Sequence, residues 1–426
     1  MKSALPVLLG LLAWPLAQAE PLTLTDTWSE VNWNDVPVES RTLFFPGKVS
    51  FEWLNSSRHP GYQDPFFEQR RCNACHKDEE YGLGNMLVKG SQDSYPGKMG
   101  ALRLQLQIAH DNSFLHVRAR WQGQANKPAR LHSLLTLENG QWQPLQFNAP
   151  AEEAFSIMWD DGSIPLFSSQ GCFLSCHLPQ EGKPAKGQGP GLKDYLAAVG
   201  AGNNKFLPAS HSGRGTRAKP LSETELMQQQ AEGQFADVWQ WHSATSGVLG
   251  IVDDGWLLDS RYQDPGEPSV RLNFNPRTGE PIWMFNPEVQ GRSALNKLDL
   301  VKQQGLLTLV EGHNTVPFDA AKLPKGALLP QYYVSRQQAH SSEIQRIEAS
   351  WDKGIYTLAF KRPLSTGDSK TDKSLQAGKV YTFAIAIHDD NAEGRGHFVS
   401  FPISVSLTPE VDADIISREL SGAQNP

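Results

Sequence analysis

After its first residues the chain has no apolar run long enough to cross a bilayer, which excludes a bundle of membrane helices. It carries no long block of one charge, so a polyanionic or polycationic tail is excluded as well. Its 39 lysines and arginines are outnumbered by 46 acidic residues, for a formal net charge of −7, and a nucleic-acid partner is not expected without clustered basic residues. No G-x-S-x-G, H-E-x-x-H or P-loop pattern occurs, which removes the hydrolase, zinc-protease and nucleotide-cleaving readings those motifs carry. No repeat of fixed period is visible. Cysteine is scarce, at four residues in 426.

What is present is the composition of a folded protein, 39% hydrophobic and 20% charged. Its 36 glycines and 29 prolines, with abundant aromatics, favour turns and strands over long helices. The start reads Met1-Lys2-Ser3, an apolar run over 4–16 and then Ala17-Gln18-Ala19. A positive start, a short apolar core and an Ala-x-Ala end are the parts of a cleavable secretory signal. Pro6 and Pro15 interrupt the run, which is too short to span a bilayer comfortably. Residues 1–19 are therefore expected to be removed on export, with the mature protein in a bacterial periplasm and no stable membrane insertion.

All four cysteines fall into two pairs, each followed at once by histidine: Cys72-Asn73-Ala74-Cys75-His76 and Cys172-Phe173-Leu174-Ser175-Cys176-His177. C-x-x-C-H is the attachment sequence of c-type haem. Each thiol adds to one vinyl group, so the two sulfurs must lie along one haem edge, and the next residue swings an imidazole under the iron. With 12 histidines in 426 residues, chance rarely places one after both pairs. Two disulfides remain an alternative for an exported protein. The roughly 100-residue gap between the pairs is far outside zinc-finger spacing, and a thioredoxin-like pair has no use for the histidine. The second motif has one residue more between its cysteines, which must bulge out. Two covalently bound haems c are expected, with His76 and His177 as proximal ligands.

The rest of the chain divides by pattern. Residues 20–100 read as a small, irregular N-terminal haem c module. From 101 the pattern turns to strands. Leu102, Leu104, Leu106 and Ile108 alternate with polar residues, a turn follows at Asp111-Asn112-Ser113, and Leu115, Val117, Ala119 and Trp121 alternate again, as a hairpin does. A weaker strand pair is expected over 131–147, strands at 154–159 and 238–241, and a short helix near 223–231. Strands are also expected over 355–360 and 381–388. After a polar loop, one strand over 397–407 places His397, Val399, Phe401, Ile403, Val405 and Leu407 on one face. The fold class is mainly β, an antiparallel sandwich over 101–410 with a tail over 411–426.

The sixth ligand of each iron decides what the site does. A filled position passes electrons; an open one admits small molecules. His397 is a candidate because it continues an apolar face, where a buried imidazole needs a partner. His59, in the His59-Pro60-Gly61 turn shortly before Cys72, is the other. His388, His211 and Met158 are weaker candidates, as are Met86 and Met99 for the first haem. The remaining histidines, His110, His116, His242 and His313 among them, read as surface or strand-end residues.

These segments together resemble a known family: the haem-binding domain shared by the γ subunit of ethylbenzene dehydrogenase and the cytochrome c-552/dimethyl sulfoxide reductase-like proteins. The resemblance is carried by 106–121 (LQIAHDNSFLHVRARW), 154–159 (AFSIMW) before GCFLSCH, 237–244 (DVWQWHSA), 351–368 and 378–407. It implies a β-sandwich holding haem between or beside its sheets. In the γ subunit that haem is b-type, held by a methionine and a lysine. This chain departs there, having C-x-x-x-C-H where the b-type relative has none. The family's lysine position falls at or near His397, which the resemblance thus implies as distal ligand of the second haem. The segment before residue 100 is an addition similar to multihaem cytochrome modules.

The expected function is a periplasmic dihaem c-type cytochrome. Its partners would be redox proteins, a molybdenum-type oxidoreductase or a quinol-oxidising membrane cytochrome. The alternative is a dihaem peroxidase or small-molecule reductase with one open iron.

Overall fold

The computed structural model describes residues 20–21, 31–47, 49, 51–90, 99–123, 128, 130–131, 133–145, 152–177, 205–213, 219–265, 268–335, 344–345, 348–389 and 397–420. The expected signal segment lies outside them. Among the described residues no helix is long and apolar enough to cross a membrane.

The architecture is a mainly β, antiparallel sandwich. Its main strands are β1 (Glu39–Phe44), β2 (Ala101–His110), β3 (Phe114–Gln122), β4 (Ala154–Asp160), β5 (Ala236–His242), β6 (Ile251–Leu257), β7 (Glu348–Asp352), β8 (Ile355–Pro363), β9 (Val380–His388), β10 (Phe398–Val399) and β11 (Ile403–Ser406). One layer runs β7-β8-β3-β2-β1 and the other β10-β9-β4-β5-β6, joined at the Phe44↔Val399 pair. Inward residues from both layers make one core, with Leu104, Leu106, Val117, Trp121 and Leu358 from the first and Ile157, Trp159, Trp239, Phe383 and Ile385 from the second. Trp121 stacks between Phe155 and Tyr356 at 5.8 and 5.3 Å.

Local sequence explains the hairpins. Asp111 Oδ1 accepts from the backbone N–H of Ser113 and Phe114 at 2.7 and 2.8 Å, an Asx turn that reverses β2 into β3. Asp352 and Ile355 pair across Lys353-Gly354, both with positive φ, the two-residue turn that matches strand twist. The helix expected near 223–231 is present as Glu223–Ala231, with Ser222 and Glu225 forming a capping box.

Three boundaries differ from the sequence reading. Residues 20–100 are not one unit, because β1 is a strand of the sandwich, paired with β2 over its full length. The segment bearing the first haem motif is thus an insertion between two hydrogen-bonded neighbours. Phe44↔Ala101 is the last pair before it, and Phe45 N–H donates to the Gly100 carbonyl at 2.8 Å. Within the insertion, helix Glu80–Gly90 lays Gly84 directly on Gly100, where an added Cβ would overlap the backbone. Beyond 410 the chain still pairs with the sheet: Ile415–Ile416 with β11, and Arg418–Glu419 with β2. Finally, residues 128–145 and 268–335 build a second, smaller core around Leu135, Trp142, Phe285, Leu309 and Leu329.

The expected single strand over 397–407 is broken. Val399 pairs with Ala386 but Ile403 with Phe383, so four steps on one strand oppose three on the other. This is a β-bulge. It reverses the faces: Phe398, Ile403, Val405 and Leu407 enter the main core, while Phe401 is turned out to a separate cluster with Phe44 and Ala101.

A buried ionic group closes one end of the core. The fully buried Arg362 donates from Nη2 to Asp237 at 2.9 Å, lies 3.2 Å from Asp372, and has Nε 3.7 Å from Asp254. Its guanidinium lies over Trp239, 4.9 Å from the ring centroid. The carboxylates cluster tightly enough for a cation, and the guanidinium already supplies that charge.

Candidate functional site

Cys72–Cys75 forms a single helical turn, which puts thiols three residues apart on one face. Burial pushes the Cys72 thiol up to about 12 and raises the Cys172 thiol as well. A thioredoxin-like pair works through a lowered pKa, the opposite direction from Cys72 and Cys172. Cys72 and Cys75 are not joined in a disulfide.

His76 follows the turn, with Nδ1 2.8 Å from Glu79 Oε2. His59 begins the Pro60–Gln63 turn, with Nδ1 3.2 Å from the Leu54 carbonyl oxygen. Carbonyl and ionised carboxylate only accept, so both Nδ1 atoms carry a hydrogen, and in the neutral imidazole Nε2 keeps the lone pair. That is the tautomer a metal-bound histidine holds through its outer partner. The two ring centroids lie 6.2 Å apart with planes 27° from parallel. A metal bound by two imidazole nitrogens at about 2 Å each separates the centroids by about 6 Å. The centroid spacing of His59 and His76 thus matches that of two imidazoles sharing one haem iron. Trp53 and Phe67 pack on His59 at 5.2 and 5.4 Å. Burial and the nearby His76 hold the His59 pKa below the ordinary histidine value, against the pull of the Leu54 carbonyl.

In the second motif, Gly171–Leu174 is a tight helical turn and Ser175 is extended. Ser175 Oγ donates back to the Cys172 carbonyl at 2.8 Å. Leu174 is buried, and Phe173 stacks on Phe44 at 5.7 Å. Gly171 has φ +54°, and a Cβ there would stand 3.1 Å from Pro402 Cγ and 3.3 Å from Ala384 Cβ. Cys176–His177 pairs as a short strand with Lys205–Phe206; the side chains of Cys176 and His177 lie outside the described residues.

The two motifs meet at the bulge. Phe401 packs on His76 at 6.2 Å, on Phe44 at 4.8 Å and on Phe173 at 6.3 Å. Arg71, one residue before Cys72, donates to Ser404 Oγ at 3.0 Å and pairs with Asp414 at 2.7 Å. Asn55 and Gln170 exchange amide hydrogen bonds of 3.2 and 2.9 Å. Sequence reasoning missed Phe401, Arg71 and this amide pair. The one available signal was Pro402, since proline within a strand pattern marks a bulge or an edge.

Between the insertion and the second motif lies a cavity of about 320 Å³, walled by Phe51, Leu166, Leu174, Leu207 and His211. Of the other candidates, His397 stacks on His388 with centroids 4.8 Å apart. Met158 is buried on β4 opposite Ala384. Met86 and Met99 are exposed. His116, read as a surface or strand-end residue, is buried, with Nε2 2.8 Å from Asp111.

The chain is thus an antiparallel sandwich with two cysteine–histidine motifs set against one bulged strand. The model of the ethylbenzene dehydrogenase family matches residues 25–400, and the chain belongs to that family. It is similar to cytochrome c-552 of Stutzerimonas stutzeri, 21% identical over 89% of each chain. It is also similar to cytochrome c-551 of Rhodocyclus tenuis, 25% identical over 36% of this chain and 58% of that one.

Proposed function

We propose that the protein is a periplasmic dihaem c-type cytochrome that carries electrons. In this reading Cys72 and Cys75 hold one haem covalently and Cys172 and Cys176 the other, with His76 and His177 as proximal ligands. His59 is the sixth ligand of the first. The observation that carries the reading is the His59–His76 pair: two imidazoles at one-iron spacing, each with Nδ1 tied to an acceptor and Nε2 available. The similarity to two cytochromes c supports it.

A bound haem supplies reversible one-electron chemistry. The chain's own residues do the rest. Glu79 and the Leu54 carbonyl orient the imidazoles and add electron density to them. Trp53 and Phe67 flank the His59 ring and Phe401 flanks His76, whose side chain stays 33% exposed. Phe401 and Phe173 bring the motifs into contact, which suits transfer from one to the other. The partner class remains a molybdenum-type oxidoreductase or a quinol-oxidising membrane cytochrome.

Covalent haem per chain and the spectra of both oxidation states test the reading. Two covalent, low-spin haems are expected. One covalent haem removes the second attachment. A high-spin haem that binds carbon monoxide moves the protein to the alternative, a dihaem enzyme with an open iron.

A further inference from the structure

We propose that His211 is the sixth ligand of the second haem. The proposal rests on the dihaem reading and assigns a ligand that His397 would otherwise hold.

Position comes first. Cys176 pairs with Phe206 and His177 with Lys205, so the chain that leads to His211 starts beside the motif. It is then fixed to the end of β6. Leu207 N–H donates to the Leu258 carbonyl at 2.7 Å, and both Leu207 and Ser210 are buried. His211 is thus carried on an anchored segment.

The tautomer comes second. His211 Nδ1 lies 2.9 Å from Ser210 Oγ. The Ser210 hydroxyl spends its one hydrogen on the carbonyls of Leu207 and Leu258, at 2.7 and 3.0 Å. With that hydrogen on a carbonyl, Ser210 Oγ accepts from the imidazole, so that in the neutral ring Nδ1 carries the hydrogen and Nε2 keeps its lone pair. This is the arrangement seen at His59 and His76, built from a different acceptor. The ring is held flat against Phe206, with centroids 3.7 Å apart.

The surroundings come third. His211 lines the 320 Å³ cavity together with Leu166, Leu174 and Leu207. Leu174 lies between the two cysteines of the motif. The walls are mostly apolar, with Glu52 among them, and His211 offers an imidazole nitrogen, which suits a haem edge. His397 is placed otherwise. Gly171 touches the sheet at Ala384 and Pro402. His388, on which His397 stacks, lies four residues further along the same strand, about 13 Å at 3.3 Å per residue.

The test uses the full chain, matured with its haems, and the variants His211→Ala, His211→Met and His397→Ala. Covalent haem is counted by mass, and spin state by electron paramagnetic resonance and carbon monoxide binding. In His211→Ala, two covalent haems are expected with half the low-spin signal lost, one carbon monoxide bound per chain and low-spin signal restored by added imidazole. His211→Met should keep both haems low-spin and raise one reduction potential, since methionine ligation favours the reduced iron. His397→Ala should keep both low-spin. The proposal is overturned if His211→Ala keeps both haems low-spin, or if His397→Ala produces the high-spin haem instead. Should His211→Ala fail to fold, His211→Met decides: unchanged potentials in both haems sink the assignment. Wild-type protein with fewer than two covalent haems sinks the dihaem reading itself, which separates the two failures.

Discussion

Asn55 and Gln170 exchange hydrogen bonds through their side-chain amides, 115 residues apart in sequence. One residue belongs to the insertion that carries the first motif; the other directly precedes the second motif. The pair ties the segment of the first motif to the approach of the second, beside the packing of Phe401 on Phe173. Gln170 is buried, so Asn55→Ala leaves its amide without this partner. A loss of about 1–3 kcal/mol is expected. The double variant Asn55→Leu/Gln170→Leu should lose less than the two single changes together. A double-mutant cycle in denaturant checks this.

Glu79 accepts from His76 Nδ1 and gives that imidazole anionic character. Glu79→Gln keeps a hydrogen-bond acceptor and removes the charge. The first haem's reduction potential should rise, because the oxidised, more positive iron loses a stabilising neighbour. The glutamate is exposed, so the rise should stay under about 59 mV, a tenfold change for one electron. A spectroelectrochemical titration reads it, and a fall in potential would contradict the assignment of His76 as ligand.

Arg362 neutralises only one of the carboxylates around it. Asp237 is pushed up to about 7 by burial, against the pull of Arg362, and Asp254 is raised well above its ordinary value by burial and by Asp237. Raised carboxylates take up protons on folding, so the folded protein holds more protons than the unfolded chain between about pH 4 and 7. Stability should therefore fall as pH rises through that window. Asp254→Asn should flatten the slope and raise the melting temperature at alkaline pH. Arg362→Met, which strands the carboxylates, should cost about 3–5 kcal/mol. Thermal melts across pH give both answers.

Gly171 combines a positive φ with close contact to Pro402 and Ala384. An alanine there is strained in backbone and crowded in space, at about 1–3 kcal/mol. Because Cys172 follows directly, Gly171→Ala should reduce covalent haem at the second motif and leave the first fully loaded. Mass spectrometry of the two motif peptides distinguishes them.

Much of this was written in the sequence. The 102–121 hairpin was legible because its apolar residues alternate without interruption around an Asp-Asn-Ser turn, and the capped 223–231 helix because Ser222 and Glu225 sit at capping spacing. The spacing of Cys72, Cys75 and His76 singled them out as a haem c attachment motif. His59 could be singled out by its nearness to Cys72, but its relation to His76 depends on two turns whose angles no local pattern encodes. The bulge at Phe401 was hidden because a one-residue shift leaves the apolar count unchanged while exchanging the faces. The sequence hides His211 for a related reason. It sits in a polar Gly/Ser loop, and only the pairing of Phe206 with Cys176 brings that loop to the second motif.

The narrow neck of the insertion has a consequence for how such a molecule can be built. Phe44 and Ala101 are register partners, so the chain leaves and re-enters the sheet through a gap of about 5 Å. A two-residue hairpin turn spans that gap. The segment bearing the first Cys-x-x-Cys-His motif is therefore a cassette: a sandwich of this kind can acquire such a segment, or give it up, without shifting the register of a single strand.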